Sequence, residues 1–281
     1  MRECILQGQA MQRTVFFISD GTAITTETLG HSLLTQFQGV EFREFRIPFV
    51  GDTEKASEAV SRINKAGRED GAAPIVFNTI VDDSISSIIK SSEAVVLDLF
   101  ATFIETLEAA LGVPRQATIG RAHGMANHGR YEERIDATSY ALSHDDGVSL
   151  TYQGADVILV GVSRSGKTPT CLYMALHFGI KAANYPLTQD DLEQQKLPAS
   201  LRPFKAKIVG LTIDADRLAQ IRENRRPGSH YASVKQCHWE VDAAESLLRG
   251  AGVPVFHTTH SSIEEIASRV LLQQGLQREM F

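Results

Sequence analysis

The sequence predicts an α/β protein of two domains with parallel sheets, in which the C-terminal domain is a P-loop, kinase-like domain. Two observations support this class. Short apolar runs typical of buried strands alternate with helical patterns along the chain, as is usual for parallel strands joined by crossover helices. One of these runs also leads into a glycine-rich segment at Gly161, and a helical pattern follows it.

The first half of the chain contains three strand patterns, each followed by a helical pattern. After the first strand, Leu29, Leu33 and Phe37 recur at a spacing of four. This spacing places apolar side chains on one face of a helix, so it predicts a helix after the first strand. A similar helical pattern of Phe103, Leu107 and Leu111 follows the third strand. The three strand patterns begin at Thr14, Pro74 and Ala94.

A second alternating series predicts the C-terminal domain. Between residues 112 and 154 the apolar periodicity weakens and His, Arg, Asp, Gly and Asn become common, which indicates a domain junction. We therefore predict a flexible leader over residues 1–13, an N-terminal α/β domain over 14–147 and a P-loop nucleotide-binding domain over 148–281. The strands of this series are expected at residues 155–160, 181–185, 206–213 and 253–256.

Composition limits the classes of function. The chain has 281 residues, of which 43% are hydrophobic, enough for a substantial core. Its formal net charge of -6 argues against a protein that coats nucleic acid or an anionic membrane surface. No run approaches the roughly 20 apolar residues of a membrane span. The three cysteines lack C-x-x-C spacing, and this favours a cytoplasmic protein.

The segment Gly161-Val-Ser-Arg-Ser-Gly-Lys-Thr168 matches every fixed position of the phosphate-binding loop G-x-x-x-x-G-K-[ST]. Glycines let backbone amides turn toward an anion, and the following helix N-terminus adds partial positive charge. We expect Lys167 to contact the terminal phosphates and Thr168 to ligate Mg²⁺. The predicted nucleotide-binding residues are Gly161, Val162, Ser163, Arg164, Ser165, Gly166, Lys167 and Thr168.

A carboxylate at a strand end commonly supports the metal ion of such a loop. Asp214, after the strand pattern that ends at Ile213, is a candidate, although it could equally cap the next helix. An arginine-rich segment follows and could cover phosphate charge as a lid or form a solvated face. Its members are Arg217, Arg222, Arg225 and Arg226.

Two polar clusters are further candidates. His144, Asp145 and Asp146 precede the loop domain and could accept a hydroxyl proton or help bind metal, although Asp-Asp-Gly is also a common surface turn. Ser19, Asp20 and Thr22 follow a strand in the position where open α/β sheets bind ligands. They could bind phosphate or a partner protein, or could simply provide hydroxyl caps for a helix.

Six stretches together form a signature far more specific than the loop alone. They are Ile18–Glu27, Tyr140–Gly147, Gly161–Tyr173, Ala182–Pro186, Gly210–Asp214 and Tyr231–Cys237. Through them the chain resembles, over nearly its whole length, the bacterial family of bifunctional kinases and pyrophosphorylases that regulate phosphoenolpyruvate synthase, related to the regulators of pyruvate, phosphate dikinase. Ser165 stands where many relatives are expected to have cysteine, and both side chains are small.

The resemblance implies two opposed reactions on one threonine of the partner enzyme. ADP would donate a phosphoryl group and inactivate phosphoenolpyruvate synthase, with Mg²⁺ as the expected cofactor. Inorganic phosphate would remove that group, release pyrophosphate and restore activity. Lys167 with His144, Asp145 and Asp146 would form the catalytic set, and the N-terminal half would help recognise the partner.

The sequence leaves two other functions and the oligomeric state open. The same loop would suit a small-molecule P-loop kinase, or a non-catalytic nucleotide-sensing module that acts on its partner by binding. A homo-oligomer is compatible with the sequence.

Overall fold

The structure, a computed structural model, describes residues 11–115, 128–149 and 151–276. Packing divides the chain into two compact units, Met1–Gly124 and Met125–Phe281. Each unit contains a four-stranded, wholly parallel sheet with helices between successive strands. The predicted α/β class with two parallel sheets is confirmed.

The first unit has the sheet order β2-β1-β3-β4. Its strands are β1 (Met11–Ile18), β2 (Val40–Ile47), β3 (Ile75–Asn78) and β4 (Val95–Asp98). Its helices are α1 (Ile24–Leu34), α2 (Thr53–Asp70), α3 (Asp83–Lys90) and α4 (Ala101–Leu111). The sequence patterns missed β2, because this edge strand is largely polar and buries none of its residues fully.

The apolar residues that predicted the two helices α1 and α4 lie on exposed faces. Leu29 and Leu33 of α1 and Phe37, which follows the helix, are exposed, while Gly30 and Leu34 face the sheet. A Cβ on Gly30 would approach the Phe17 ring to 2.5 Å, so only glycine allows this close approach. Phe103, Leu107 and Leu111 of α4 are exposed as well. The spacing of apolar residues identified these helices. The rings of Phe17 and Phe77 in the sheet determined which face of α1 is buried.

The second unit has the sheet order β6-β5-β7-β8. Its strands are β5 (Val157–Gly161), β6 (Ala182–Pro186), β7 (Ile208–Thr212) and β8 (Val255–His257). Its helices are α5 (His128–Ser143), α6 (Lys167–Phe178), α7 (Gln189–Gln194), α8 (Ala215–Glu223), α9 (Val234–Gly250) and α10 (Ile263–Gln274).

Strand β5 is buried along its whole length. Successive side chains of a strand point to opposite faces. Accordingly, Ile158 and Val160 join the core cluster that α7, α8 and α9 cover, and Val157 and Leu159 join the cluster that α5, α6 and α10 cover. Burial on both faces makes β5 a rigid support for the glycine-rich segment that follows it.

Helix α5 packs in the second unit. Ala137 and Ala141 are buried in the same cluster as Met174 of α6, because small side chains let the two helices approach closely. The sequence had assigned α5 to the N-terminal domain. The predicted leader, residues 1–13, falls mainly on residues outside the described part of the chain, and β1 begins at Met11. Among the described residues, no helix has the length and apolar character needed to cross a bilayer.

Gly161 is expected to be intolerant of any side chain. An alanine Cβ there would lie 2.2 Å from the carbonyl oxygen of Leu211 in the neighbouring strand. Because backbone cannot yield as a flexible side chain can, we expect Gly161→Ala to lower the free energy of unfolding by about 3 kcal/mol or more. Denaturant unfolding measures this loss.

Gly250→Ala is the matched control. This glycine is helical, and a Cβ there would meet nothing within 4 Å. We expect it to be neutral or to stabilise the protein by up to about 1 kcal/mol. Equal unfolding free energies for the two variants would contradict the close contact between β5 and β7.

Candidate functional site

A glycine-rich loop joins β5 to α6 at the carboxyl end of the second sheet. Gly166 has φ 89° and Arg164 has φ 76°, so two residues of this short loop adopt the left-handed conformation. A side chain at position 166 would be strained by its backbone angle alone, which explains the glycine. Ser165 is buried, and its hydroxyl has no hydrogen-bond partner among the residues that the structure describes. The strand, loop and helix lie where the sequence predicted them.

Lys167 is the first residue of α6 and is only 3% exposed. Its ammonium nitrogen Nζ donates a hydrogen bond of 2.9 Å to the carbonyl oxygen of Val162. Burial lowers the pKa of Lys167 to about 8, and the negative charge of Asp146 acts in the opposite direction. The loop therefore contains a cation that is incompletely compensated and would gain from a bound anion.

Asp145 contacts the loop helix directly. Its Oδ1 accepts a 2.7 Å hydrogen bond from the Thr168 hydroxyl and a second hydrogen bond from the side-chain amide of Asn184. The side-chain oxygen Oδ1 of Asn184 in turn accepts a 3.0 Å hydrogen bond from the backbone N–H of Asp146. The structure thus places Asp145 in contact with Thr168, the residue after Lys167, and the charges of Asp146 and Asp145 act on Lys167.

His144 is buried and held by the backbone. Its Nδ1 lies 2.9 Å from the carbonyl oxygen of Tyr140, and its Nε2 lies 3.1 Å from that of Thr151. The ring also stacks on Tyr140, with centroids 3.9 Å apart. Both ring nitrogens therefore face protein acceptors, an arrangement that fixes the Asp145–Asp146 turn and leaves neither nitrogen turned toward a substrate.

Asp146 occupies the tip of this turn. It is exposed, with φ 47°, and Gly147 follows with φ 74°. Aspartate tolerates the left-handed conformation better than most residues, and glycine has no Cβ to clash there. The sequence Asp-Asp-Gly is thus a turn, as the alternative interpretation held, and this turn presents one carboxylate to Thr168.

Asp214, the candidate metal ligand of the sequence analysis, lies elsewhere on the same sheet. It occupies the N-terminal boundary of α8 without capping it through its side chain. Its Oδ1 lies 3.2 Å from Nε2 of His257, and its backbone N–H donates to Thr259. The carboxylate that contacts Thr168 is that of Asp145, not that of Asp214.

The Ser19–Thr22 segment follows β1 in the first unit. The Ser19 hydroxyl accepts from the backbone N–H of Gly21, and Asp20 accepts from that of Val81 at 2.8 Å. None of these side chains caps α1, which begins after Ala23 without a side-chain cap. The Thr22 hydroxyl is buried without a hydrogen-bond partner among the described residues. Asp20 therefore ties the end of β1 to the segment after β3, and the Ser19 hydroxyl orders the turn that follows β1.

The sequence did not predict the contacts that three residues make around the glycine-rich loop. These residues are Asn184, Arg222 and Tyr231. Asn184 is a fully buried polar residue in strand β6, and an asparagine inside an apolar strand is a usable signal. Arg222 is fully buried and so does not belong to a solvated face. Its spacing of four from Leu218 already placed it on the apolar face of α8.

The fold and the site define an α/β protein with a glycine-rich loop, a buried lysine and a hydroxyl–carboxylate pair at the carboxyl end of a parallel sheet. The chain belongs to the Kinase/pyrophosphorylase family, whose model matches residues 15–271. It is 55% identical over 269 residues to a protein of Stenotrophomonas maltophilia, covering 96% of this chain and 98% of the relative. That relative bears the name "Putative phosphoenolpyruvate synthase regulatory protein".

Two Xanthomonas proteins of the same name are similarly related. The protein from Xanthomonas oryzae is 54% identical and that from Xanthomonas campestris 53% identical, each over 96% of this chain and 98% of its own length. The similarity therefore extends over both units.

Proposed function

We propose that this protein is a bifunctional serine/threonine kinase and phosphorylase that regulates phosphoenolpyruvate synthase. In the kinase direction, a threonine oxygen of the synthase attacks the β-phosphorus of ADP, the bond to AMP breaks, and the threonine proton is released. In the phosphorylase direction, an oxygen of inorganic phosphate attacks phosphothreonine, pyrophosphate forms, and the phosphate proton passes to the threonine oxygen.

The observation that carries this proposal is the Asp145–Thr168 contact beside buried Lys167, in a member of the Kinase/pyrophosphorylase family. Loop amides and the α6 N-terminus would hold the diphosphate. Lys167 would stabilise the charge that builds up on the transferred phosphoryl group. The names of the relatives support phosphoenolpyruvate synthase as the protein substrate.

Asp145 and Asp146 are proposed to handle the proton. A carboxylate beside the transferred phosphate can accept the threonine proton in one direction and return it in the other. We assign His144 a positioning role, because its ring nitrogens face the carbonyl oxygens of Tyr140 and Thr151. It would hold the turn that presents Asp145 and Asp146.

Mg²⁺ is the proposed cofactor, and the residues present suit it. Magnesium in phosphate sites uses one or two protein oxygens plus phosphate oxygens and water, and the Thr168 hydroxyl and the Asp145 carboxylate are adjacent oxygen donors. The ion would neutralise charge on the phosphate oxygens. Across the described residues, no group of three or more His, Cys, Asp or Glu side chains forms a protein-only metal site. Asp214 is not proposed as a ligand.

The affinity for ADP is expected to fall as pH rises above about 8. Lys167 has a pKa of about 8 because of its burial, and bound phosphates would raise that pKa. Above pH 8 the neutral Lys167 must take up a proton when ADP binds. The affinity for ADP should therefore fall by up to about tenfold per pH unit. Titration calorimetry between pH 7 and 9.5, in buffers of different ionisation enthalpy, measures both affinity and proton uptake.

Lys167→Met provides the control for this pH dependence. The variant lacks the titrating group, so its weaker ADP binding should show no proton uptake in the same range. Equal ADP affinity of the parent protein at pH 7 and pH 9.5 would contradict the proposed contact between Lys167 and phosphate.

Intact-mass measurement of phosphoenolpyruvate synthase tests the function. The synthase is incubated with this protein and ADP, then freed of nucleotide and incubated with inorganic phosphate. We expect one added phosphoryl group on a threonine peptide in the first step, and its loss with release of pyrophosphate in the second. Label from ADP in a small metabolite would indicate a small-molecule kinase instead. Inhibition of the synthase without added mass, reversed on dilution, would indicate a nucleotide-sensing module.

The first unit is proposed to contribute to recognition of the synthase. Ser19 and Asp20 order the segment that follows β1, and the Thr22 hydroxyl remains without a partner among the described residues. The carboxyl ends of parallel strands are the usual ligand edge of such sheets.

A further inference from the structure

A cavity of about 250 Å³ adjoins the glycine-rich loop. Ser163 and Arg164 of the loop form one side of it, and Arg225, Arg226 and Tyr231 form the other. This volume is several times the roughly 30 Å³ that one water molecule occupies in the liquid. The cavity can therefore hold a small polyatomic ligand beside the loop.

The lining of this cavity is strongly cationic. Arg164, Arg225 and Arg226 contribute three guanidinium groups, and none of them forms an ion pair with a carboxylate among the described residues. Guanidinium groups bind phosphate oxygens through paired N–H donors. An anion with several oxygens is therefore the ligand class that the lining favours.

Arg222 fixes the wall behind these groups. Its guanidinium is fully buried, pairs with Glu240 at 2.7 Å and lies 3.9 Å from the centroid of the Tyr231 ring. It also donates to the carbonyl oxygens of Ser163 at 3.2 Å and Tyr231 at 3.0 Å. One buried cation thus joins the loop to the segment after α8.

A second link closes the same wall. The Tyr231 hydroxyl donates a 3.0 Å hydrogen bond to the Ser163 hydroxyl. Because Arg222 joins the backbones of Ser163 and Tyr231 and their hydroxyls are hydrogen-bonded, this wall of the cavity is held in place without a ligand. Such preorganisation reduces the entropy lost on binding.

We propose that this cavity is a second phosphate subsite, which binds a phosphate group in addition to the one held by the loop amides and Lys167. The inference rests on the proposed function. Joining two separate phosphate groups into pyrophosphate requires two anion positions that adjoin each other. In the phosphate-dependent direction no diphosphate occupies the loop, so the loop would hold the phosphoryl group of phosphothreonine, and the cavity that shares Ser163 and Arg164 with the loop would hold the attacking phosphate.

The test is binding of inorganic phosphate in the presence of saturating ADP, measured by calorimetry with the full-length protein. We expect the parent protein to bind phosphate while ADP occupies the loop. The double variant Arg225→Gln/Arg226→Gln should lose about ten- to a hundredfold in phosphate affinity, because two charge-assisted contacts disappear. Its ADP affinity should fall much less than its phosphate affinity.

Arg217→Gln is the matched control. Arg217, on α8, is exposed like Arg225 and Arg226, donates a hydrogen bond to Gln220 and lies outside the cavity lining. The variant loses one positive charge near the cavity but none in its lining. Its affinity for phosphate should therefore stay close to that of the parent protein. Thermal unfolding checks that all variants fold, which is expected because Arg225 and Arg226 are exposed.

A second arm uses a short phosphothreonine peptide in place of inorganic phosphate. Loss of affinity for either probe in the double variant supports the subsite, and the probe affected identifies the source of its phosphate group. Displacement of phosphate by ADP in the parent, or unchanged affinity for both probes in the double variant, would overturn the proposal. Failure of the synthase to gain mass with ADP would instead contradict the proposed function, so the two failures are distinguishable.

Discussion

Replacing Lys167 by methionine is expected to lower the rate of phosphoryl transfer from ADP by about 10²–10³-fold. The lysine is buried at the start of α6, where its charge would face the transferred phosphoryl group. Removal of one preorganised charge or donor from such a site costs a factor of this size. The measurement is the initial rate of label transfer from ADP to phosphoenolpyruvate synthase, with the same expected loss in the phosphate-dependent direction.

The same substitution should not destabilise the fold. Burial lowers the pKa of Lys167 from 10.5 to about 8, so keeping it protonated in the folded state costs about 3 kcal/mol at pH 7. Methionine removes that cost together with one hydrogen bond to Val162. We expect the free energy of unfolding at pH 7 to be unchanged or higher, by up to about 3 kcal/mol.

The pH dependence of unfolding gives an independent check. Below pH 8 both folded and unfolded lysine are protonated, and the destabilisation is fully present. Between about pH 8 and 10.5 the folded state loses its proton first, so stability rises with pH. This contribution should appear in the parent protein and be absent in Lys167→Met. A variant that retains full activity, or that unfolds at 25 °C, would contradict the role assigned to Lys167.

Asp145→Asn is expected to reduce activity by about 10²–10³-fold in both directions. The amide preserves an oxygen that can accept from Thr168 and Asn184, so the local fold should persist. It removes the charge that could accept a proton or bind Mg²⁺, and losses of this order follow when either function is removed. Initial rates at several Mg²⁺ concentrations separate weaker metal binding from slower transfer.

Two further variants complete this experiment. Asp146→Asn tests the exposed carboxylate of the same turn, and a smaller loss is expected because Asp146 does not contact Thr168. Asp156→Asn makes the same chemical change at the opposite end of β5, where the carboxylate accepts from the backbone N–H of Lys181, and should leave activity near the parental value. Parental rates for both Asp145→Asn and Asp146→Asn would refute the assignment of proton transfer to this turn.

Local patterns in the sequence determined the class of the fold and the place of the loop. Apolar runs marked most strands, and the fixed positions from Gly161 to Thr168 located the junction of β5 and α6. These features are predictable because they depend on neighbours along the chain: strand alternation, helix periodicity and loop glycines. Gly166 illustrates this, since its left-handed backbone conformation disfavours any side chain.

Tertiary structure decided which residues meet. Asp145 rather than Asp214 contacts Thr168, because Asn184 on β6, the neighbour of β5, holds the Asp145 carboxylate. Burial of Arg222 depends likewise on Glu240 and Tyr231, which lie on later elements. The local spacing of apolar residues does not determine strand order or the contacts between distant segments of the chain. The sequence by itself therefore located the glycine-rich loop that we propose binds phosphate, whereas only the packing around β5 determined which carboxylate and which arginines surround it.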